Sequence, residues 1–252
     1  MKIRTLATPV FRAGSPLHDF LKTALLPQAE NLEGAVLCVT SKIVSLAENR
    51  VVSPLDKSKT EWVKAEADVY LGEVAYGSHL AVKENLFLAS AGLDESNSET
   101  GDFILLPKDP NHSALEIHRD IVSHFRLKNF GVILTDSHTS FLRYGVTGVA
   151  LGSAGFHALR DRVGERDLFD RPLKMTKVNV ADGLAAAGVL MMGEAREKTP
   201  LALINELPNG TIEFCAETLQ RELYVPCLGG EFPSDLYWPF LEPGFRRHPR
   251  RL

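Results

Sequence analysis

Hydrophobic positions along this chain fall into short apolar runs separated by stretches in which they recur at helical spacing. Ala35-Val-Leu-Cys-Val39 is an uninterrupted apolar run between Gly34 and Thr40, the pattern of a buried strand. Residues 85–90, 102–106 and 130–135 follow the same pattern and predict further strands. Helical periodicity predicts helices over 60–70, 113–127 and 182–192. In the second, Leu115, Ile117, Ile121, Val122 and Phe125 supply the apolar residues and Ser113 is placed to cap the first turn. In the third, Asp182 serves as N-cap or first-turn acid, and Ala185-Ala-Ala-Gly-Val-Leu-Met-Met192 is small enough for close packing.

The expected class is therefore mixed α/β. Strands and helices do not alternate regularly enough for a doubly wound sheet. The glycine-rich stretch Gly145-Val-Thr-Gly-Val-Ala-Leu-Gly-Ser-Ala-Gly155 fits neither the GxGxxG nor the Walker A spacing, so neither a Rossmann nor a P-loop fold is expected. No repeat or long linker divides residues 1–252, which are expected to form one unit.

Composition narrows the function classes. With 252 residues, 44% of them hydrophobic, the chain can bury a sizeable core and is neither disordered nor fibrous. The 28 basic against 32 acidic residues, net −4, give no bulk attraction for nucleic acid or anionic membrane, so phosphate binding has to be local. No apolar stretch approaches the roughly 20 residues of a membrane span and the N-terminus carries no signal-peptide core, so a cytoplasmic location is expected. Cys38, Cys215 and Cys227 are an odd set without CxxC spacing, which predicts buried or incidental thiols. The basic end, 246–251, is expected to be a solvated tail.

The candidate chemistry lies in acids that follow apolar runs: Asp94 beside Gly92, Asp136 before the hydroxyl of Ser137, and Glu194 after Met191-Met-Gly193. Hard oxygen ligands of this kind suit Mg²⁺ or Mn²⁺ shared with substrate phosphates. Lys42, after the first apolar run, could direct an ammonium at a phosphate, and His138 could contact substrate. On spacing alone the better reading of these acids is turn or cap residues, of Lys42 a surface lysine and of His138 a solvent-facing loop residue. His118 and His124, six apart, do not share the helical face of a paired zinc site, and there is no GxSxG elbow.

Four strings, in register from about Gly14 to Asp235, carry a resemblance: Thr40-Ser-Lys-Ile-Val-Ser-Leu-Ala-Glu-Asn-Arg50, Ala91-Gly-Leu-Asp-Glu-Ser-Asn97, Leu105-Leu-Pro-Lys-Asp-Pro-Asn-His-Ser-Ala114, and Ala181-Asp-Gly-Leu-Ala-Ala-Ala187 through Met192-Gly-Glu-Ala195. Together they resemble the coenzyme F420-0:L-glutamate ligase family. The resemblance implies a two-domain α/β homodimer of unusual fold, with intertwined subdomains. It also implies a GTP-dependent (ATP remaining open), Mg²⁺- or Mn²⁺-dependent ligase that activates a small-molecule carboxylate acceptor as an acyl phosphate and joins it to L-glutamate. Carried over by motif, Asp94, Asp136, Ser137 and Glu194 would hold metal, while Ser41, Lys42, Asn97 and Gly193 would contact the nucleotide. Asp94, Asp136 and Lys42 would carry the catalytic charge, and His138, Ser140 and Arg143 would meet substrate.

The chain also departs from the family pattern. Where members read Asp-Thr-x-Gly-Arg-Pro-Trp-Arg-x-Gly, Asp136-Ser-His-Thr-Ser-Phe-Leu-Arg-Tyr-Gly145 keeps Arg143 and Gly145 but replaces the core with Thr139, Ser140, Phe141 and Leu142. A usual basic residue is Leu46, and Gly-Asp-Asp-Leu reads Gly14-Ser-Pro-Leu17. Loss of a planar guanidinium changes anion recognition, so the expectation is a γ-glutamyl ligase with another acceptor, such as a folate or pterin. The alternatives are a true F420-0 ligase, a metal-dependent phosphohydrolase, and a nucleotide-binding regulator without turnover.

Overall fold

The structure, a computed structural model, describes residues 1–215, 234–235, 237–238 and 241–243; Cys227 and the basic stretch 246–251 lie outside the described residues. The chain runs through β1 (Lys2–Leu6), α1 (Leu17–Leu25), β2 (Ala35–Thr40) and α2 (Ser41–Ala47). It continues through β3 (Val51–Val52), α3 (Lys59–Glu66), β4 (Val69–Glu73), β5 (His79–Lys83), β6 (Leu86–Ala89) and β7 (Phe103–Ile104). Next come α4 (Pro110–Phe125), β8 (Phe130–Thr139), β9 (Val146–Ala154), β10 (Leu159–Asp161), β11 (Lys177–Asn179), α5 (Val180–Met192) and β12 (Leu201–Asn205). This is a mixed α/β architecture, as the apolar pattern predicts.

The main sheet has the order β1-β12-β2-β8-β9, with β2 and β8 parallel and every other pair antiparallel. Side chains alternate across it, which explains the uninterrupted apolar runs. Ala35, Leu37 and Val39 of β2 join Val132 and Leu134 of β8 in a core with α1, α2 and α4, while Val36, Cys38 and Ile133 face α5 in a second core. Burial pushes the Cys38 thiol up to about 12, so it behaves as a small apolar residue. A smaller sheet, β4-β5-β6, packs with α3 through Val63, Ala67 and Ala81.

Two sequence expectations are corrected and a third, left open between two roles, is decided. The helix predicted over 60–70 ends at Glu66, because Val69–Glu73 pairs with His79–Lys83 and this pairing overrides the helical period. The cap of α4 is Asp109, whose carboxylate accepts the His112 N–H at 2.9 Å, while Ser113 lies inside the helix and its hydroxyl donates to Glu48 at 2.7 Å. Asn179 caps α5, leaving Asp182 as the first-turn acid.

The glycine-rich stretch is strand β9, squeezed between two helices. A Cβ on Gly152 would meet the Pro110 backbone of α4 at 2.5 Å, and one on Gly148 would meet Val189 of α5 at 2.7 Å and the Ala185 carbonyl. These glycines allow close packing of helix on strand and form no phosphate loop.

Candidate functional site

Thr40 ends β2 and Ser41 starts α2, so the strand-to-helix switch buries Ser41 and leaves Lys42 projecting toward the loop after β6. Along that loop Ser90, Ala91 and Gly92 all have positive φ, at 52°, 53° and 74°. This tight turn brings Asp94 onto a backbone bridge with Ile104 of β7, each residue's N–H donating to the other's carbonyl at 2.9 Å. Asp94 Oδ1 then accepts the Ser96 N–H at 2.6 Å, while Oδ2 pairs with Lys42 Nζ at 2.6 Å. The Lys42 ammonium also donates to Ser96 Oγ at 3.0 Å and to the Ser96 carbonyl at 3.2 Å.

Asp136 lies inside β8, one residue past a register shift against β9, and the strand continues to Thr139. The expectation that Asp136 ends the strand, with His138 at its exit, is corrected accordingly. A register shift re-aims the side chains that follow it. Asp136 Oδ1 accepts the Ser137 N–H at 2.9 Å, and the Ser137 side chain is hydrogen-bonded to Glu194. Gly193 ends α5 with φ 83° and ψ 168°, and Glu194 follows it. The Thr199 hydroxyl donates to the Met192 carbonyl at 2.6 Å and ties the following segment back to the helix.

The charges sense one another. Burial raises the Asp136 carboxyl to about 7; the Ser137 N–H and Lys42 oppose that shift, while the like charges of Asp94 and Glu194 add to it. Burial raises Glu194 as well, against the Ser137 hydroxyl and Lys42, with Asp94 and Glu197 adding repulsion. At Asp94 burial also works upward, but Lys42 and Ser96 outweigh it and hold the carboxyl below its ordinary value.

Lys42, Asp94, Asn97, Asp136, Ser137, Gly193 and Glu194 line one cleft of about 450 Å³. Ser41, which is buried, and His138, Ser140 and Arg143 are not among its lining residues; the last two sit at the exposed β8–β9 turn, where the Arg143 N–H donates to the Ser140 carbonyl at 3.4 Å. Sequence reasoning missed Thr8, Phe11, Glu99, Arg196 and Lys198 in the lining. Only Arg196 and Lys198 had a signal, as the continuation of the Met-Gly-Glu string.

The donor set suits a hard divalent cation: carboxylates and a hydroxyl, with Asp94 and Glu194 adding like-charge repulsion at Asp136. Among the described residues no three His, Cys, Asp or Glu side chains stand close enough for a ready-made metal site. An ion that shares its coordination with phosphate needs only one or two protein carboxylates, so the residues fit.

The family model described as F420-0:Gamma-glutamyl ligase matches residues 5–206, a span that contains every cleft residue named above. The chain belongs to this family. Among the family's curated members, the coenzyme F420:L-glutamate ligase of Methanopyrus kandleri is 36% identical over 222 residues, covering 81% of this chain and 87% of that protein. The enzyme of the same name from Methanothermobacter thermautotrophicus is 35% identical, covering 80% and 87%, and that from Archaeoglobus fulgidus 30% identical, covering 87% and 94%. Among the described residues no helix is long and apolar enough to cross a membrane.

Proposed function

We propose that this chain joins L-glutamate in amide linkage to a carboxylate acceptor of the F420-0 class, at the expense of a nucleoside triphosphate, GTP before ATP, and with Mg²⁺ or Mn²⁺. The observation that carries this reading is the convergence of Asp94, Asp136 and Glu194 with Lys42 in one cleft, inside the span matched by the family model. Relatives that carry the F420:L-glutamate ligase name weigh for this acceptor class over the changed acceptor expected from the sequence. A homodimer and a cytoplasmic location belong to the same proposal.

In the chemistry proposed, an acceptor carboxylate oxygen takes the γ-phosphoryl group and the nucleoside diphosphate departs. The amine of glutamate then attacks the acyl carbon, loses a proton and expels inorganic phosphate. When bound, the divalent ion supplies charge stabilisation to the phosphoryl oxygens. One or two of the carboxylates of Asp94, Asp136 and Glu194 would hold it alongside phosphate oxygens, Ser137 orients Glu194, and Lys42 is the ammonium within reach of the same group. Rate enhancement then comes from positioning and preorganised charge, with no covalent step on the protein.

A second reading, ligation to a different carboxylate, is favoured by the replaced residues Thr139 to Leu142. The test supplies purified protein with GTP or ATP, Mn²⁺, L-glutamate and F420-0, and follows product mass and phosphate. Glutamylated F420-0, reduced at least a hundredfold in Asp136→Asn, is expected. Turnover only with other acceptors favours the second reading. Phosphate release that ignores glutamate favours a phosphohydrolase, and nucleotide binding without turnover on any acceptor favours the regulator.

A further inference from the structure

An ammonium has three donors, and all three of Lys42's have partners: Asp94 Oδ2 at 2.6 Å, Ser96 Oγ at 3.0 Å and the Ser96 carbonyl at 3.2 Å. The pair is partly shielded, with 22% of the Lys42 side chain and 38% of the Asp94 side chain exposed. The other oxygen of Asp94 takes the Ser96 N–H at 2.6 Å, which fixes the carboxylate toward Lys42. Lys42 therefore has no donor free for a phosphate, and its ammonium stands at Asp94 Oδ2, where a metal ion would have to compete with it.

The geometry points to Lys42 as a displaceable counter-ion: it holds the cation's place at Asp94, and a phosphate draws it away, so that divalent metal and nucleotide enter together. The inference rests on the proposed metal and nucleotide chemistry and adds an order to it. Exchange at Asp94 swaps one cation for another, and the ammonium keeps three acceptors because phosphate oxygens replace those it leaves. Metal alone has to displace Lys42 with no acceptor offered in return, which costs the exposed ammonium its best partner. Lys42 also acts electrostatically on Asp136 and Glu194, opposing the rise that burial gives both carboxyls, so it is the shared counter-ion of all three acids. Asp94 and Lys42 come from different segments, the loop after β6 and the start of α2, so withdrawal of Lys42 needs only side-chain rotation.

The test is calorimetric titration of Mn²⁺ alone, and of Mn²⁺ premixed with a non-hydrolysable GTP analogue, into wild type, Lys42→Met, Lys42→Gln and Asp94→Asn. Two neutral variants guard against one that misfolds. Wild type is expected to bind Mn²⁺ alone weakly and the premixed complex well. Lys42→Met and Lys42→Gln should bind Mn²⁺ alone at least about tenfold more tightly than wild type, a shift of about 1.4 kcal/mol, and Asp94→Asn should bind neither form. If wild type binds the premixed complex through Asp94 but neither Lys42 variant gains affinity for Mn²⁺ alone, the placeholder role is wrong and the proposed function stands. If no Asp94-dependent binding of metal is found in any protein under either condition, both fail.

Discussion

The carboxylate of Asp182 on α5 accepts the backbone N–H of Ala150 on β9 at 2.9 Å, where the β8–β9 ladder skips Leu151. Leu134 pairs with Gly152 and Thr135 with Ala150, so the irregularity falls between Leu134 and Thr135, with Asp136 the next residue along. Asn179 holds Asp182 in turn, donating from Nδ2 to Oδ2 at 2.5 Å and accepting the Asp182 N–H at 3.0 Å. Helix α5 is thus fastened to β9 at the irregularity in the ladder, beside the pair that Thr135 makes just before Asp136. Asp182→Ala leaves the Ala150 amide without its acceptor and is expected to cost about 1–3 kcal/mol in urea unfolding. Asp182→Asn keeps an accepting oxygen and should cost less than half as much. Equal losses in the two variants would show that the acceptor bond contributes little.

Asp136 makes the ligand-free protein pH-sensitive. Its carboxyl is raised from 3.8 to about 7, first by burial, so the folded state favours the protonated form. The stabilisation from holding that proton is complete below about 4 and is lost as pH rises to about 7; above that, the ionised carboxylate only burdens the fold. Asp136→Asn removes the charge at every pH. Urea unfolding should find this variant more stable than wild type at pH 8, by about 2 kcal/mol once screening is allowed for, with the gap closing by pH 4. A gap that is constant with pH would mean that Asp136 titrates normally. The same variant should lack turnover, the expected trade between stability and a charged site.

Glycines on the two sides of the β9–α5 contact should respond with opposite sign. A Cβ at Gly148 meets Val189 at 2.7 Å and the Ala185 carbonyl oxygen, and neither backbone can withdraw cheaply. Gly148→Ala is expected to destabilise by about 2–3 kcal/mol. Gly183, inside α5, has nothing within 4 Å of the place a methyl group would take and carries no positive φ. Gly183→Ala should therefore stabilise by about 0.5–1 kcal/mol through helix propensity and a less flexible unfolded chain. Thermal melts of the two variants decide the matter, and a loss in both would show that α5 cannot be stiffened without moving the sheet.

Much of this architecture was legible where one physical signal dominated. Ala35 to Val39 reads as a buried strand because both faces are covered, and Lys42, Asp94, Asn97, Asp136, Ser137, Gly193 and Glu194 share one cleft because the fold brings together the start of α2, the loop after β6, the far half of β8 and the end of α5. Signals failed where tertiary pairing decided the local structure. Residues 67–70 carry helical spacing yet Val69 and Tyr70 pair as part of strand β4, and the glycines of β9 are explained only by helices that approach from distant sequence. The family motif carries Ser140 and Arg143 over as substrate residues; β8 runs on to Thr139 and places both at an exposed turn outside the cleft lining. Thr8, Phe11 and Glu99 carry no chemical signature of their own and reach the cleft only through the path of the chain.

The aim of Asp94 depends on Gly92. Its φ of +74° is a left-handed conformation, and a Cβ there would meet the Leu106 side chain at 2.6 Å, in the core beneath the loop. Gly92→Ala therefore combines backbone strain with overpacking, about 2–4 kcal/mol in all, and relief by movement of the loop would carry Asp94 away from Lys42. Gly101, on the same connection, is a matched control: its φ is +76°, but nothing lies within 4 Å of a Cβ, so Gly101→Ala should cost only about 1 kcal/mol of backbone strain. Urea unfolding should rank Gly92→Ala well below Gly101→Ala. Titration with Mn²⁺ and a GTP analogue should show weakened binding in folded Gly92→Ala and unchanged binding in Gly101→Ala. Intact binding in folded Gly92→Ala would mean that the Asp94–Ile104 backbone bridge, at 2.9 Å in each direction, holds the carboxylate without help from the turn before it.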